Sequence, residues 1–303
     1  MSTEAPKTYK RQELWEAAYR ANPYLAEKPE SHLIERFCYL MESYTTLTET
    51  GQLGMEVAEK RLTIWHLSRL CHLFMEFGSR GGVPAGMQPI LPKLTHPEIP
   101  KGVLAYRARQ RSEPGQLFKF SKRKWLDLML QGSIHFSPAS SYRDSSLNRA
   151  IQDDELGFTY YPGKNGPKLE KLPHPPGTDW VEMRHPSDYY VQCLSLRFAP
   201  RLFDDFEADS CLVIYDGNEF GQRLMAALKA KFPGWFVTAF GMTYLDPDDP
   251  GDQPILVPRI KHMQYIYQQE QRILCHPRVA VQKLEPTTLE VGSLTEIAEI
   301  ISI

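Results

Sequence analysis

The run QYIYQQEQRIL near the C-terminus holds the residue types best suited to chemistry. Read as part of a strand over 263–276, it sends Ile266, Gln268, Glu270, Arg272 and Leu274 to one face and Tyr265, Tyr267, Gln269, Gln271 and Ile273 to the other. Gln268 and Glu270 then stand side by side. A carboxylate so placed hydrogen-bonds a sugar hydroxyl and stabilises an oxocarbenium-like centre, while the amide orients an incoming nucleophile. Arg272 on the same face either pairs a phosphate or neutralises Glu270. The plainer alternative is a half-exposed strand with a Glu–Arg cross-pair. A polar QQEQR run inside an otherwise apolar strand is the least expected local feature of this part of the chain.

A second block, LFKFSKRKWLDLMLQGSIHFSPASSYRD, reads strand–helix–strand. In the first strand (117–121), Lys119 and Ser121 alternate with Phe118 and Phe120. The helix puts Trp125, Leu128 and Met129 on one face and ends at Gly132. The second strand (133–137) leads into a turn carrying Tyr142, Arg143 and Asp144. Tyr142 can stack on a planar ring, and Lys119 and Arg143 can bind diphosphate oxygens. Their ordinary roles are a solvated lysine, a half-buried tyrosine and an aspartate capping a following helix.

Other constellations are weaker. Asp144, Asp153, Asp154 and Glu155, with Lys164, Lys168 or Lys171 to neutralise phosphate, outline a magnesium-dependent nuclease, or a solvated helix face. The nine histidines form no HxH or HExxH pair, so no metal-ligand set can be named. His66 and His72 read as packing residues. Cys193 has no histidine near it in sequence to make it a nucleophile. The acidic run DPDDPGDQP (246–254) reads as a flexible turn.

These groups need a scaffold. Residues 9–80 show helical spacing in three sets: Trp15, Ala18 and Tyr19; Leu33, Phe37, Leu40, Met41 and Tyr44; Leu62, Trp65, Leu70, Leu73 and Phe77. Ser31 is expected to cap the second helix. Glycines and prolines over 78–101 mark a boundary, giving a helical region (1–90), a linker (91–101) and an α/β domain (102–303). Within the last, strands are expected at 102–108, 117–121, 133–137, 189–198, 210–216, 235–246, 263–276 and in RVAVQKLEP. Helices are expected within 144–160 and at 218–231, and a long loop over 162–188. No glycine-rich phosphate loop is present, which argues against Rossmann and P-loop enzymes. The fold class expected is α+β: a helical N-terminal region followed by a mixed, largely antiparallel sheet with packed helices.

With 35 basic and 37 acidic residues, the net charge of −2 predicts no global pull toward nucleic acid or anionic lipid. The five cysteines, widely spaced and odd in number, read as free thiols of a reducing compartment. A polar N-terminus and the lack of a long apolar run predict a cytoplasmic protein without membrane spans.

The order of these pieces resembles the ADP-ribosyltransferase fold: a strand with a basic residue, the WLDLMLQG helix, a second strand, a C-L-S strand (Cys193–Ser195) and a Q-x-E strand (Gln268–Glu270). The chain is also similar to a group of uncharacterised bacterial domains with an FS…D segment (here FSPASSYRD), a C-x-S strand and a late K…Y…E-x-R segment (Lys261, Tyr265, Glu270, Arg272). The resemblance covers about 102–285. It implies an enzyme that consumes NAD and transfers ADP-ribose to a macromolecule, nucleic acid rather than protein, acting as a bacterial toxin or antiphage effector restrained by an antitoxin or other regulatory protein. Glu270, Gln268 and Tyr142 would be catalytic. Lys119, Ser121, Arg143, Asp144, Ser195 and Arg272 would hold the dinucleotide, with Arg107 or Arg109 as alternatives to Lys119. A metal-dependent nuclease and a non-catalytic binding module are the other readings.

Overall fold

The computed structural model describes residues 10–47, 53–55, 60–87, 101–109, 114–148, 150–161, 180–251 and 255–303. Most of the linker at 91–101 and the lysines at 164, 168 and 171 lie outside them. The fold is mixed α+β with a largely antiparallel sheet, as expected.

Three helices open the chain: α1 (Arg11–Ala21), α2 (Glu30–Tyr44) and α3 (Lys60–Ser79). Their apolar stripes meet in one core of Tyr19, Leu33, Phe37, Leu40, Leu73 and Phe77. Helix α2 starts one residue before the expected Ser31 cap, directly after Pro29, whose fixed φ suits a helix entrance. A small hairpin, β1 (Thr45–Leu47) with β2 (Leu53–Met55), interrupts the helical region. His72 is buried between Tyr24 and the Trp15 carbonyl, and His66 against the Tyr44 ring, so both are packing residues.

The segment GVLAYRA forms helix α4 (Gly102–Ala108), not the expected strand, because Gly102 and Ala105 bury against the helix at 201–205. Strand β3 (Leu117–Ser121), helix α5 (Arg123–Leu130) and β4 (Ser133–Pro138) then follow as expected. The buried face of α5 is Leu126 and Met129, while Trp125 and Leu128 face outward. Gly132 ends α5 at φ 103°, and a β-carbon there would collide with Gly292.

Turns and strand β5 (Gly157–Tyr160) replace the helix expected within 144–160, and β5 pairs with β6 (Val181–Arg184). Next come β7 (Tyr190–Ser195), α6 (Arg201–Asp205), β8 (Ser210–Ile214), α7 (Gly217–Lys231) and β9 (Phe236–Gly241). Helix α7 is capped by Asp216, which accepts from the Glu219 amide, and buries Phe220, Leu224 and Leu228. Then follow β10 (Thr243–Leu245), β11 (Ile260–His262), β12 (Glu270–His276), β13 (Thr287–Glu290) and β14 (Ala298–Ser302). The last two strands lie beyond the RVAVQKLEP segment expected to be extended.

The main sheet runs β13-β4-β7-β3-β8-β14, with β12 on the other edge of β7 and β9 beyond it. Every pairing in it is antiparallel; among the described residues only β10 and β11 pair in parallel. Helices α5 and α7 cover one apolar face, where Leu126, Met129, Phe220, Leu224 and Leu228 meet Ile134, Phe136, Leu212 and Ile273.

Strand β7 is where the sheet divides. One edge pairs with β12 along its whole length, Ser195 opposite Glu270 through Tyr190 opposite Cys275. The other edge meets β4 at Tyr190 and Val191, and β3 only at Ser195. Around Cys193, β3 and β4 splay apart and leave a fork.

Candidate functional site

The expected strand over 263–276 breaks at Gln269. Residues 263–268 form a 3-10 helix, because Met263, Tyr265 and Ile266 are drawn into apolar packing, with Met263 joining the core of the N-terminal helices. Gln269 adopts φ 41°, ψ 60°, and β12 starts only at Glu270. Gln268 and Glu270 therefore do not share a face by strand alternation. The left-handed residue between them turns both side chains into the same cavity, where Lys261 Nζ lies 3.1 Å from Gln268 Oε1 and 3.1 Å from Glu270 Oε2.

Glu270 is 5% exposed and held from several sides. Oε1 accepts from Arg272 Nε at 2.5 Å, and its backbone N–H donates to Tyr244 Oη at 2.8 Å. Burial favours the neutral acid, but Arg272 and Lys261 outweigh it and hold the carboxyl well below the usual range. Arg272, fully buried, also makes a fork-to-fork pair with Glu155 at 2.5 and 2.7 Å. It neutralises Glu270 and lines neither of the two cavities beside it, so the phosphate-pairing role expected for it is not its position here. Asp153 lies 3.8 Å from Lys261, and burial together with Glu155 raises its carboxyl to about 7.

Two cavities lie in the fork. The first, about 200 Å³, is lined by Glu270, Gln268, Lys261, Ser195, Cys193 and the rings of Phe118, Phe120 and Phe206. The second, about 390 Å³, is lined by Trp125, Leu128, Met129, His135, Gln192 and Thr288. Lys119, Ser121 and Tyr142 line both and form the waist between them. Lys119 Nζ donates to the Cys193 carbonyl at 2.9 Å, and its burial lowers the affinity of the amine for its proton.

Of the residues expected at the site, Glu270, Gln268, Tyr142, Lys119, Ser121 and Ser195 converge on the first cavity. Gln268 is fully engaged: Oε1 accepts from Lys261 and Nε2 donates to the Ala150 carbonyl at 2.8 Å. Its amide is a strut, which departs from the acceptor-orienting role. Ser195 brackets the bend by donating to the Gln268 carbonyl at 2.8 Å.

Arg143 and Asp144 do not belong to the site. Arg143 is exposed and held by Asp154 at 2.6 Å, and Asp144 is exposed and accepts from the Ser146 amide. Arg107 and Arg109 belong to the α4 region, Arg109 lying over the Tyr106 ring, and neither lines the cavities. Of the nuclease carboxylates, Asp153, Asp154 and Glu155 line one cavity and Asp144 does not, and within it Glu155 is bound to Arg272 and Asp154 to Arg143. Among the described residues no three histidine, cysteine or acidic side chains are grouped to hold a metal ion. The Cys193 thiol is pushed up by burial and by Glu270, the opposite of an activated nucleophile.

Lys261 and Glu155 are site residues that the spacing of single motifs did not assign. Lys261 stood in the K…Y…E-x-R pattern, and the structure turns that pattern into one contact set: Lys261 bonds Glu270, Glu270 bonds Arg272, and Lys261 lies 4.8 Å from the centre of the Tyr265 ring.

The acidic run after β10 is not a free turn over its described part. Asp246 and Asp248 are buried and pair with Arg36 of α2 at 2.5 and 2.6 Å. Arg69 reaches Asp246 and Asp249, and His32 reaches Asp248. This knot fixes β10, which carries Tyr244 and pairs with the strand carrying Lys261. Among the described residues no helix is long and apolar enough to cross a membrane, and the five cysteines form no disulfide. Comparison of the chain with protein-family models, with curated proteins and with solved structures returned no match.

Proposed function

We propose that the chain is an NAD-consuming ADP-ribosyltransferase of the kind its motif order resembles, acting on a macromolecule, with nucleic acid favoured over protein. One observation carries this reading. A half-buried lysine that makes no ion pair among the described residues stands at the waist of two adjacent cavities, one of which is floored by an ionised carboxylate. Its ammonium is desolvated, bonds directly to a neutral carbonyl and is drawn by Glu270 only from beyond ion-pair distance, so an anion suits that waist. A dinucleotide has the matching outline: two ring-bearing halves joined by a diphosphate.

In this reading Lys119 meets the diphosphate, with Ser121 beside it. The rings of Phe118, Phe120 and Tyr142 pack against the half whose sugar lies over Glu270. Glu270, kept ionised by Arg272 and Lys261, is a poor proton acceptor. Its contribution is electrostatic: it offsets positive charge at the sugar carbon as the bond to nicotinamide lengthens. Lys261 and Gln268 fix the carboxylate rather than touch the acceptor. Enzymes of this class act as toxins or antiphage effectors held in check by a regulatory protein, and such a partner belongs to the proposal.

Nicotinamide release from NAD is the test. The chain is expected to release it, and Glu270→Gln to lower the rate at least ~100-fold, within the range lost when one electrostatic group is removed. Because Glu270 is embedded in ion pairs, Lys119→Met serves as a second variant that breaks none. It is expected to raise KM for NAD at least tenfold. No release from the folded chain, with single-stranded RNA and DNA offered as acceptors, overturns the reading.

A further inference from the structure

A third cavity, about 250 Å³, adjoins the Glu270 cavity across Ala150, which lines both. Its walls come from four places, the first being Glu42 of α2. Arg201 and Asp205 belong to α6, Asn148 to the turn before Ala150, and Gln264, Tyr265 and Tyr267 to the 3-10 helix that ends at Gln268. Tyr267 and Gln268 are chain neighbours that line adjacent cavities, with Tyr267 Oη 3.5 Å from Gln268 Nε2. A group seated here borders the place where, on the reading above, the sugar carbon is exposed.

We infer that this cavity is the acceptor subsite and that it takes one unpaired nucleobase of a single-stranded nucleic acid. The inference rests on the transferase reading. Asn148 and Gln264 carry amides that both donate and accept, as the edge of a nucleobase does. The tyrosine rings and the guanidinium of Arg201, 3.6 Å from the centre of the Tyr267 ring, supply flat surfaces of the kind on which bases stack. An arginine acceptor could meet the carboxylates of Glu42 and Asp205, but a guanidinium only donates and so leaves the amide N–H groups unmatched. Arg201 is itself anchored, with Nη1 donating to the carbonyls of Glu42 and Thr45 and Nε to Asp205. The wall is therefore preformed.

The transfer balances as follows. The bond from nicotinamide nitrogen to the sugar carbon breaks, and its electron pair stays with nicotinamide. A nitrogen lone pair of the base forms the new bond to the same carbon, and the N–H proton of that nitrogen passes to water.

The test measures binding of fluorescent single-stranded RNA and DNA octamers of differing base composition to the full chain by anisotropy. One composition is expected to bind at least tenfold more tightly than the rest. Gln264→Glu, which exchanges donors for acceptors, is expected to change the preferred base, and Asn148→Ala to flatten the preference at least fivefold. Equal binding of all compositions, unmoved by either variant, overturns the inference, as does transfer of ADP-ribose to protein arginine alone. Nicotinamide release by the unaltered chain is followed in parallel. Release with no base preference removes this inference only, whereas absence of release removes the reading beneath it.

Discussion

The Nζ of Lys119 donates to the carbonyl of Cys193 at 2.9 Å, in the gap where β3 and β4 leave β7. A lysine side chain thus occupies part of the space where a neighbouring strand would lie. It makes no ion pair among the described residues, and desolvation outweighs the attraction of Glu270 and depresses its affinity for a proton. Lys119→Met keeps the length and removes the charge. At pH 7 the ligand-free protein is expected to gain about 1–3 kcal/mol in urea unfolding, because a buried charge is replaced by an apolar group of similar volume. Affinity for ADP-ribose, read by calorimetry, is expected to fall in the same variant. Unchanged affinity in the folded variant contradicts an anion-binding role.

Gln269 is one of two non-glycine residues with positive φ among the described residues, and it lies between the two side chains that share Lys261. Left-handed backbone costs an L-residue roughly 1–2 kcal/mol, part of which glycine recovers. Gln269→Gly is therefore expected to raise stability by up to about 1 kcal/mol in chemical denaturation. Gln269→Val, branched at the β-carbon, is expected to lower it by more than that. If the two variants are equally stable, the bend is not strained.

Asp153 binds its proton more tightly in the folded chain, at about 7, than an unfolded aspartate does. The stability this provides is complete below the unfolded value and is lost as pH rises through 7. Asp153→Asn removes that loss. The Tm of the variant relative to the parent is expected to be higher at pH 8 than at pH 5, by at least about 2 °C for a chain of this size. A difference of the opposite sign shows that Lys261 keeps the carboxylate ionised.

Arg36 is wholly buried against Asp246 and Asp248. Removing one member of such a knot strands the others, at about 3–5 kcal/mol. Arg36→Met is expected to lower Tm sharply. Tryptophans on both sides of the knot, Trp15 and Trp65 against Trp235, are expected to report one coincident transition in the parent chain.

The strand–helix–strand block was legible because short-range alternation and a helical stripe decide it. Phe118 and Phe120 bury as the pattern requires; of the expected helix face Trp125, Leu128 and Met129 only Met129 is buried, and Leu126 is its partner. The bend at Gln269 was not legible, because strand alternation assumes a backbone that stays extended and Gln269 does not. The convergence of Lys119, Tyr142 and Glu270 could be guessed from motif order, but not the ion pairs around it. Arg272 meets Glu155 across a separation of 117 residues, and Arg36 meets Asp246 across 210. No periodicity encodes such pairings. The aspartates after β10 read as loop because isolated charges ordinarily seek water; here two of them are buried by arginines supplied from the far end of the chain.

The division of the sheet at β7 gives the waist of the cavities one wall that carries a main-chain carbonyl beside the side chains of Lys119, Ser121 and Tyr142. A carbonyl on that wall is present whatever residue stands at position 193, so substitutions there alter bulk and reactivity but leave an acceptor oxygen in place. Ligand preference can therefore drift through the surrounding side chains while one polar contact persists, inherited from the path of the backbone instead of from any particular amino acid.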